Sequence, residues 1–125
     1  MKSSDFRQLI VWQKAMDLTM EVYSLVKLLP REEKYALSDQ MRRAAVSIPA
    51  NIAEGQGRDT DKEYIRFISI ARGSLWELLT HIEICERLNY FDFAHSSTAR
   101  NLITEISKML LALSNAISPK PTSNV

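Results

Sequence analysis

Apolar residues recur three and four positions apart through most of the chain, which is the spacing of one face of an α-helix. This pattern predicts four helices: the first from about Val11 to Leu29, the second from Ser38 to Gly55–Gly57, the third from Thr60 to Leu88 or Asn89, and the fourth from Asp92 or Ser96 to Ile117. No strand signal and no internal repeat interrupts the pattern. Helices joined by short connections pack as antiparallel neighbours. We therefore predict an all-α fold, an up-down-up-down antiparallel four-helix bundle with a proline in its second helix, and an irregular all-helical fold is the alternative.

Helix boundaries have their own sequence signals. Pro30 should stop the first helix, since proline disfavours helical conformation at the residue before it. Ser38 is a good candidate for the N-cap of the second helix. Gly55 and Gly57 should end that helix in the left-handed conformation that glycine adopts easily. Thr60 and Glu63 match the capping box at the start of the third helix.

Each predicted helix has one apolar face that we assign to the core. In the middle of the third helix, small residues around Gly73 should let another helix approach closely, with Ala44 and Ala45 opposite. The predicted core face of the first helix consists of Trp12, Ala15, Met16, Thr19, Val22, Tyr23, Val26 and Leu29. That of the third helix consists of Tyr64, Phe67, Ala71, Leu75, Leu78, Ile82 and Cys85.

The second helix has two apolar faces. Its core face holds Leu37, Met41, Ala44, Ala45, Ile48 and Ile52, at ~100° per residue. The opposite face, which should be charged on a surface helix, holds Arg42 and the apolar residues Val46, Pro49, Ala50 and Ala53. We predict that the four apolar residues of this face contact another subunit. The alternative is that they are ordinary small surface residues and that Pro49 only kinks the helix.

Composition fits one soluble domain. The 125 residues are 46% hydrophobic and 25% charged, with a formal net charge of +1 and one cysteine. A single cysteine excludes an internal disulfide framework and fits a reducing compartment. No apolar run approaches the ~18 residues that span a bilayer. We predict a cytoplasmic protein without a membrane segment, with a bundle domain at residues 1–117 and a flexible C-terminal tail at residues 118–125.

Basic residues concentrate around the second and third helices despite the small net charge. Clusters of lysine and arginine make the phosphate contacts on which salt-dependent binding of nucleic acid rests. The candidate nucleic-acid-binding residues are Arg42, Arg43, Arg58, Lys62, Arg66 and Arg72. The alternative is a solvated face with local ion pairs, unless assembly of several copies repeats the cluster into a strong positive field.

Motifs for catalysis or metal binding are weak. Glu77, His81 and Cys85 lie four residues apart along one helix and are residue types that zinc accepts. No other histidine or cysteine supplies a fourth ligand, so packing is the better interpretation of this set. We predict no catalytic residue, no metal site and no cofactor, and hence a protein that is not an enzyme.

The second helix and its flanks resemble a known bacterial family, the four-helix-bundle proteins encoded in intervening sequences of 23S ribosomal RNA genes. The accessory protein of diversity-generating retroelements is a relative in the same group. The segments that carry the resemblance are Phe6 to Ala15 (FRQLIVWQKA), Gln40 to Arg58 (QMRRAAVSIPANIAEGQGR), Tyr64 to Phe67, Ile70 to Glu77 and Leu88 to Tyr90.

This resemblance implies a four-helix bundle that assembles as a cyclic homopentamer without known catalysis. It also implies RNA or DNA as a partner through a basic surface, and a reverse transcriptase or another protein as a further partner. Two functions follow as expectations. One is a non-enzymatic oligomer that binds nucleic acid through Arg42, Arg43, Arg58, Arg66 and Arg72, with Lys62 beside them. The other is a protein-interaction scaffold that does not bind nucleic acid.

Overall fold

The computed structural model describes residues 5–118. Its elements are a 3₁₀-helix at Phe6–Gln8, α1 at Ile10–Val26, a second 3₁₀-helix at Arg31–Glu33, α2 at Leu37–Gln56, α3 at Asp61–Arg87 and α4 at Phe93–Ile117. Within this described range every regular element is helical, so the predicted all-α four-helix bundle is confirmed. Of the predicted C-terminal tail, only Ser118 is among the described residues.

The four helices surround one core. α1 and α3 each pack against both α2 and α4, and they lie diagonally opposite each other. Residue pairs show that α2 and α3 run antiparallel, because rising numbers on α2 meet falling numbers on α3. The Met41 sulfur lies 3.6 Å from the Cys85 sulfur, and the Ser47 and Ser74 hydroxyls are 2.8 Å apart.

The predicted core faces of α2 and α3 are confirmed. All of the α3 residues assigned to the core are buried, as are those of α2 except the half-buried Leu37. The prediction for α1 was partly wrong, because Met16 and Tyr23 are 37% and 42% exposed. Leu18 and Leu25 are buried in their place. The core side of α1 is therefore rotated from the predicted one.

Two helix starts carry side-chain caps, although only the Thr60 half of the capping box predicted at the start of α3 forms. Thr60 Oγ1 accepts a hydrogen bond of 3.2 Å from the Glu63 amide at the start of α3. Asp92 and His95 form a reciprocal capping box at the start of α4. Such bonds serve backbone N–H groups that have no partner within the helix. The predicted Ser38 cap of α2 was wrong, since α2 begins one residue earlier and Ser38 is buried in its first turn.

The end of α3 is a Schellman motif centred on Asn89. This residue has φ 62°, in the left-handed region that asparagine tolerates better than most side chains. The Tyr90 amide donates to the Cys85 carbonyl at 2.9 Å, and the Asn89 amide donates to the Glu86 carbonyl at 3.0 Å. These two bonds are the pair that defines the motif. They fix the turn that leads into α4.

The glycines serve other purposes than the sequence pattern predicted. Gly57 ends α2 in right-handed conformation, and no described glycine has positive φ. Gly55 is buried, and a Cβ placed there would lie 2.9 Å from the Phe67 Cβ and 3.1 Å from the Tyr64 ring. Its role is therefore close approach of α2 and α3. Gly73 has open space around its Cα and is not a close-approach point within the chain.

Pro49 lies inside α2 and is buried within the single chain. Because proline has no N–H, it leaves the Ala45 carbonyl without its usual helical donor. The Thr19 hydroxyl on α1 lies 3.3 Å from this carbonyl and 2.9 Å from the Ala15 carbonyl, and the two carbonyls share its single proton in a three-centre hydrogen bond. A side chain of the neighbouring helix thus compensates for the proline.

Candidate nucleic-acid and subunit surfaces

Three of the predicted basic residues meet at the turn between α2 and α3. The Arg58 guanidinium carbon lies 4.7 Å from the centre of the Phe67 ring, and that of Arg66 lies 5.6 Å from it. Lys62 is exposed and lies one helical turn before Arg66 on α3. Cations over the face of an aromatic ring are attracted by its negative quadrupole. Phe67 therefore holds two arginines together, and we call Arg58, Lys62 and Arg66 the basic cluster.

Carboxylates accompany the basic cluster. Arg58 pairs with Glu54 at 2.5 Å, and Arg66 lies 3.9 Å from Glu63. These pairs are exposed to solvent, with 41% or more of each side chain accessible. Exposed pairs of this kind contribute only about 0–1 kcal/mol, so a phosphate group can replace the carboxylate at small cost. Lys62 has no carboxylate within 4.0 Å among the described residues.

Arg42 and Arg43 lie at the other end of α2. The span of eleven residues from Arg43 to Glu54 corresponds to roughly 16 Å along the helix axis. Arg43 pairs with Asp39 at 2.9 Å, and Arg42 donates to the Lys34 carbonyl at 3.4 Å. The bond to Asp39 raises the pKa of Arg43 further. These two arginines are therefore not part of the basic cluster.

Arg72 is also apart from the basic cluster. It follows Arg66 by six residues, which at ~100° per residue places it on another side of α3. The residue is half-buried, and its Nε is shielded from solvent without a hydrogen-bond partner in the described part of the chain. The six predicted residues thus occupy three separate places rather than one surface.

The four α2 residues predicted to contact another subunit do not all lie on the outer face of the helix. Val46 is 44% exposed, Ala50 is exposed and Ala53 is half-buried. Pro49 is buried against its own chain, so its placement on the outward face was wrong. The reason is its angular position, which turns it towards the α1 side of α2, where Thr19 meets Ala45. Burial of Pro49 requires no second subunit.

An exposed apolar stripe on α1 lies beside this face and was missed in the sequence. Met16, Met20 and Tyr23 follow one another at spacings of four and three residues, and all are exposed. That spacing is itself a helical stripe and would have revealed a second apolar side of α1. It was hidden because Met16 and Tyr23 were assigned to the core.

Two grooves lie on different sides of the bundle. The α1–α2 groove has a volume of about 400 Å³ and is lined by Tyr23, Asp39, Arg42, Arg43, Val46 and Ser47. The α3 groove has a volume of about 390 Å³ and is lined by Trp76, Leu79, Thr80, Glu83, Ile84 and Arg87. Both combine exposed apolar side chains with charged ones, a composition that suits protein contacts.

A network of hydrogen bonds and an ion pair joins α3 to α4. Glu86 accepts hydrogen bonds from Ser96 and Arg100, each at 2.5 Å. Burial alone would raise the pKa of Glu86, but the bonds from Arg100 and Ser96 outweigh it and hold this pKa below its usual value. The carboxylate is therefore ionised at neutral pH and fully engaged inside the molecule. Arg100, which binds this carboxylate, therefore has a structural role.

The only cysteine is poorly suited to nucleophilic chemistry. Burial, with the nearby charges of Glu33 and Glu86, raises the pKa of Cys85 to about 11. A hydrogen bond to Glu33 at 2.7 Å, together with burial and the charge of Glu33, raises the pKa of Tyr90 to about 12. Both groups are protonated at neutral pH, and a thiol reacts as its thiolate.

The metal-like set on α3 does not converge. His81 Nε2 lies 3.3 Å from the Glu77 carboxylate, whereas Cys85 points to the Met41 sulfur. Within residues 5–118, no group of three or more histidine, cysteine, aspartate or glutamate side chains has an arrangement that could hold a metal ion. No helix in that range is both long and apolar enough to cross a bilayer.

Comparison with known proteins supplies the family. The model of the family described as 23S rRNA-intervening sequence protein matches residues 7–112. A solved structure from Bacteroides thetaiotaomicron, a protein of unknown function from the S23 ribosomal protein family, is similar with a TM-score of 0.77 and 27% identity. The similarity covers 84% of this chain and 98% of that one. No curated protein matches. The chain therefore belongs to the family of 23S rRNA-intervening sequence proteins.

Proposed function

We propose that this protein is a non-catalytic helical bundle that assembles with copies of itself and binds nucleic acid through the basic cluster repeated around the assembly. Family and structural neighbour carry no catalytic assignment. The number of copies that the family resemblance implies is five, in a closed ring.

Assembly is supported by the apolar side chains that one chain leaves in solvent. Val46 on α2 lies in a continuous surface with Tyr23 of α1 around the α1–α2 groove, and Met16 and Met20 follow along α1. Isolated surface hydrophobes are ordinary, but contiguous ones mark contact sites. Burying this surface against another copy would remove it from water.

Nucleic-acid binding is supported by one observation, the meeting of Arg58 and Arg66 over the Phe67 ring with Lys62 beside them. The aromatic ring fixes two cations at the surface, and their carboxylate partners are exposed and exchangeable. A single copy has a weak field because of those carboxylates. Repetition around an assembly adds the fields of several clusters, which raises the attraction for a polyanion.

A mass measurement tests assembly first. Light scattering combined with size-exclusion chromatography should give a mass several times the 14.3 kDa of one chain. A mass of one chain at micromolar concentration would refute the assembly proposal.

A salt titration then tests nucleic-acid binding. Fluorescence anisotropy with labelled single-stranded RNA and duplex DNA should show affinity that falls steeply with salt. Reversing the basic cluster with Arg58→Glu, Lys62→Glu and Arg66→Glu should weaken binding by about one to two orders of magnitude and flatten the salt dependence, because phosphate contacts release counterions.

The matched control carries the same change of charge elsewhere. Lys27, Arg31 and Lys108 are exposed and lie outside the basic cluster. Reversal of these three to glutamate should leave most of the affinity. Equal loss in both variants would show that only net charge matters. An oligomer that binds neither RNA nor DNA would favour the scaffold function instead.

A further inference from the structure

The outer face of α3 leads from the basic cluster to the α3 groove. At ~100° per residue, five residues of α3 fall within about 50° of the direction opposite to its buried side. They are Lys62, Arg66, Gly73, Trp76 and Arg87, and all of them are exposed. This face therefore carries cations at both ends and a tryptophan between them.

The part of this face between Arg66 and Trp76 is flat and uncharged. Ser69 and Gly73 occupy it, and both are exposed. A Cβ placed at Gly73 would meet nothing within 4 Å, so packing within the chain does not require glycine there, although glycine weakens the interior of a helix. Glycine also permits close approach of another backbone. A ligand that lies along this face can thus approach α3 closely at Gly73.

Trp76 supplies an aromatic surface beyond these small residues. It is 48% exposed and lines the α3 groove of about 390 Å³, where the charges of Glu83 and Arg87 balance. Proteins that bind single-stranded nucleic acid combine a basic surface along the backbone with exposed rings on which bases stack. Phe67 does not offer such a ring, because it is buried beneath the arginines of the basic cluster. Trp76 is the exposed ring on the same face as the cluster.

We propose that the nucleic acid bound by this protein is single-stranded and lies along the outer face of α3, with phosphates on the basic cluster and an unpaired base stacked on Trp76. The inference rests on the proposed nucleic-acid binding and names the form of the polymer. Arg66 and Trp76 are ten residues apart, roughly 15 Å along the helix axis. A strand with stacked bases advances roughly 3.4 Å per nucleotide, so about four or five nucleotides cover this distance.

Arg87 extends the surface beyond Trp76. It follows Trp76 by eleven residues, roughly 16 Å along the axis, and is exposed. Within residues 5–118 it has no carboxylate within 4.0 Å, so it is available to a phosphate. A strand that reaches from the basic cluster to Arg87 has about ten nucleotides, which lies within the ~4–16 that one single-strand-binding domain covers.

The outer face of α3 is separate from the surface proposed for assembly. That surface lies on α1 and α2, whereas α1 and α3 are diagonally opposite in the bundle and do not pack on each other. A strand on α3 therefore does not compete with assembly. Two other occupants are possible for this face: a duplex, which would contact the cations alone because its bases are stacked inside it, and a protein partner in the α3 groove.

Tryptophan fluorescence tests the stacking directly. The chain has two tryptophans, and Trp12 packs against the core with its ring 5.2 Å from that of Phe6. Trp12→Phe therefore leaves Trp76 as the reporter. An oligouridine of about twelve nucleotides should quench this fluorescence as it binds, because a base covers the indole ring. A duplex RNA of the same length should bind without quenching.

Affinity measurements test what the stack contributes. Trp76→Ala should weaken binding of the oligouridine about 5- to 150-fold, the range for loss of one base stack, and leave duplex affinity unchanged. Trp76→Phe keeps a ring and should lose less. Tyr35 is 85% exposed and lies at the end of the bundle opposite the basic cluster, so Tyr35→Ala is the matched control and should bind like the wild type. Reversal of the basic cluster should weaken binding of both forms.

Several outcomes would overturn the inference and leave nucleic-acid binding intact. Absence of quenching at a saturating concentration of oligouridine would show that no base stacks on Trp76. Equal losses for strand and duplex in Trp76→Ala would show a general effect on the fold. A variant with altered assembly mass and unchanged affinity would make the α3 groove a protein contact.

Failure of the proposed function gives a different result. A wild-type protein that binds neither oligouridine nor duplex refutes nucleic-acid binding itself. If circular dichroism shows that Trp76→Ala is unfolded, the quenching of Trp76 in the Trp12→Phe protein decides the question.

Discussion

Small and apolar residues occur on both sides of α2, but they are buried on the inner side and exposed to solvent on the outer side. On the inner side, Ile48 is fully buried, Gly55 touches α3 and the carbonyl freed by Pro49 receives a hydroxyl from α1. On the outer side, Val46 and Ala50 remain in solvent. The comparison shows that the role of an apolar or small residue on this helix depends on its neighbours in the fold and does not follow from its residue type. Three pairs of variants, the second extended by a double-mutant cycle, would break or sharpen the contrast.

The largest contrast compares Ile48→Ala with Val46→Ala. Ile48 is completely buried, so its truncation leaves a cavity and should lower the free energy of unfolding by about 2–5 kcal/mol. Val46 is half in solvent, and its truncation should change the unfolding free energy of one chain by less than about 0.5 kcal/mol. Urea denaturation at low protein concentration measures both values. Similar losses in the two variants would contradict the assignment of inner and outer sides.

The second contrast concerns the hydroxyl beside Pro49. Thr19→Val removes the donor to the buried Ala45 carbonyl and should cost about 1–3 kcal/mol, the range for a buried group left without a partner. Thr80 donates to the Trp76 carbonyl of its own helix at 2.8 Å, as Thr19 does to the Ala15 carbonyl, but it is exposed and, among the described residues, has no bond to another helix. Thr80→Val is therefore the matched control and should have little effect.

A double-mutant cycle isolates the reason for that loss. Pro49→Ala restores an N–H that can donate to the Ala45 carbonyl within α2, so Thr19→Val should cost less in that background. Denaturation midpoints of the wild type, the two single variants and the double variant give the coupling free energy between Thr19 and Pro49. Additive effects would show that Thr19 does not compensate for the proline.

The smallest contrast uses the two helix-interior glycines. Gly55→Ala places a Cβ 2.9 Å from the Phe67 Cβ, so helix-packing strain of about 1–3 kcal/mol should exceed the gain in helix propensity. Gly73→Ala meets nothing within 4 Å and should stabilise α3 by about 0.5–1 kcal/mol. Thermal denaturation should therefore shift in opposite directions. A stabilising Gly55→Ala would show that α2 and α3 can move apart at no cost.

The sequence pattern located most of the fold and part of the candidate surfaces. Long helices with regular spacing, such as α3 with Tyr64 to Cys85 inward, were predictable because their apolar face is continuous. The cap at Thr60 was predictable because it is local. Arg58, Lys62 and Arg66 were predicted together with Arg42, Arg43 and Arg72, and the closeness of Lys62 and Arg66 was predictable because they lie one helical turn apart on α3.

Other features depended on residues far apart in sequence. The rotation of α1 was missed because it carries apolar residues on two sides, so spacing alone cannot choose between Leu18 and Met16. The burial of Pro49 depends on α1, and the role of Gly55 depends on Phe67. The meeting of Arg58 and Arg66 depends on how the α2–α3 turn packs on Phe67, whereas the separation of Arg72 follows from its six-residue spacing from Arg66 and was predictable.

The sequence by itself determined the helical class, most helix boundaries and the inward faces of α2 and α3, because these follow from periodicity and from bonds within one turn of helix. Tertiary structure decided which apolar residues remain in solvent and which arginines lie together. It also decided that Thr19 serves the carbonyl freed by Pro49. The physical reason is that burial and long-range hydrogen bonds depend on the rotation of each helix about its axis, which only its packing neighbours fix.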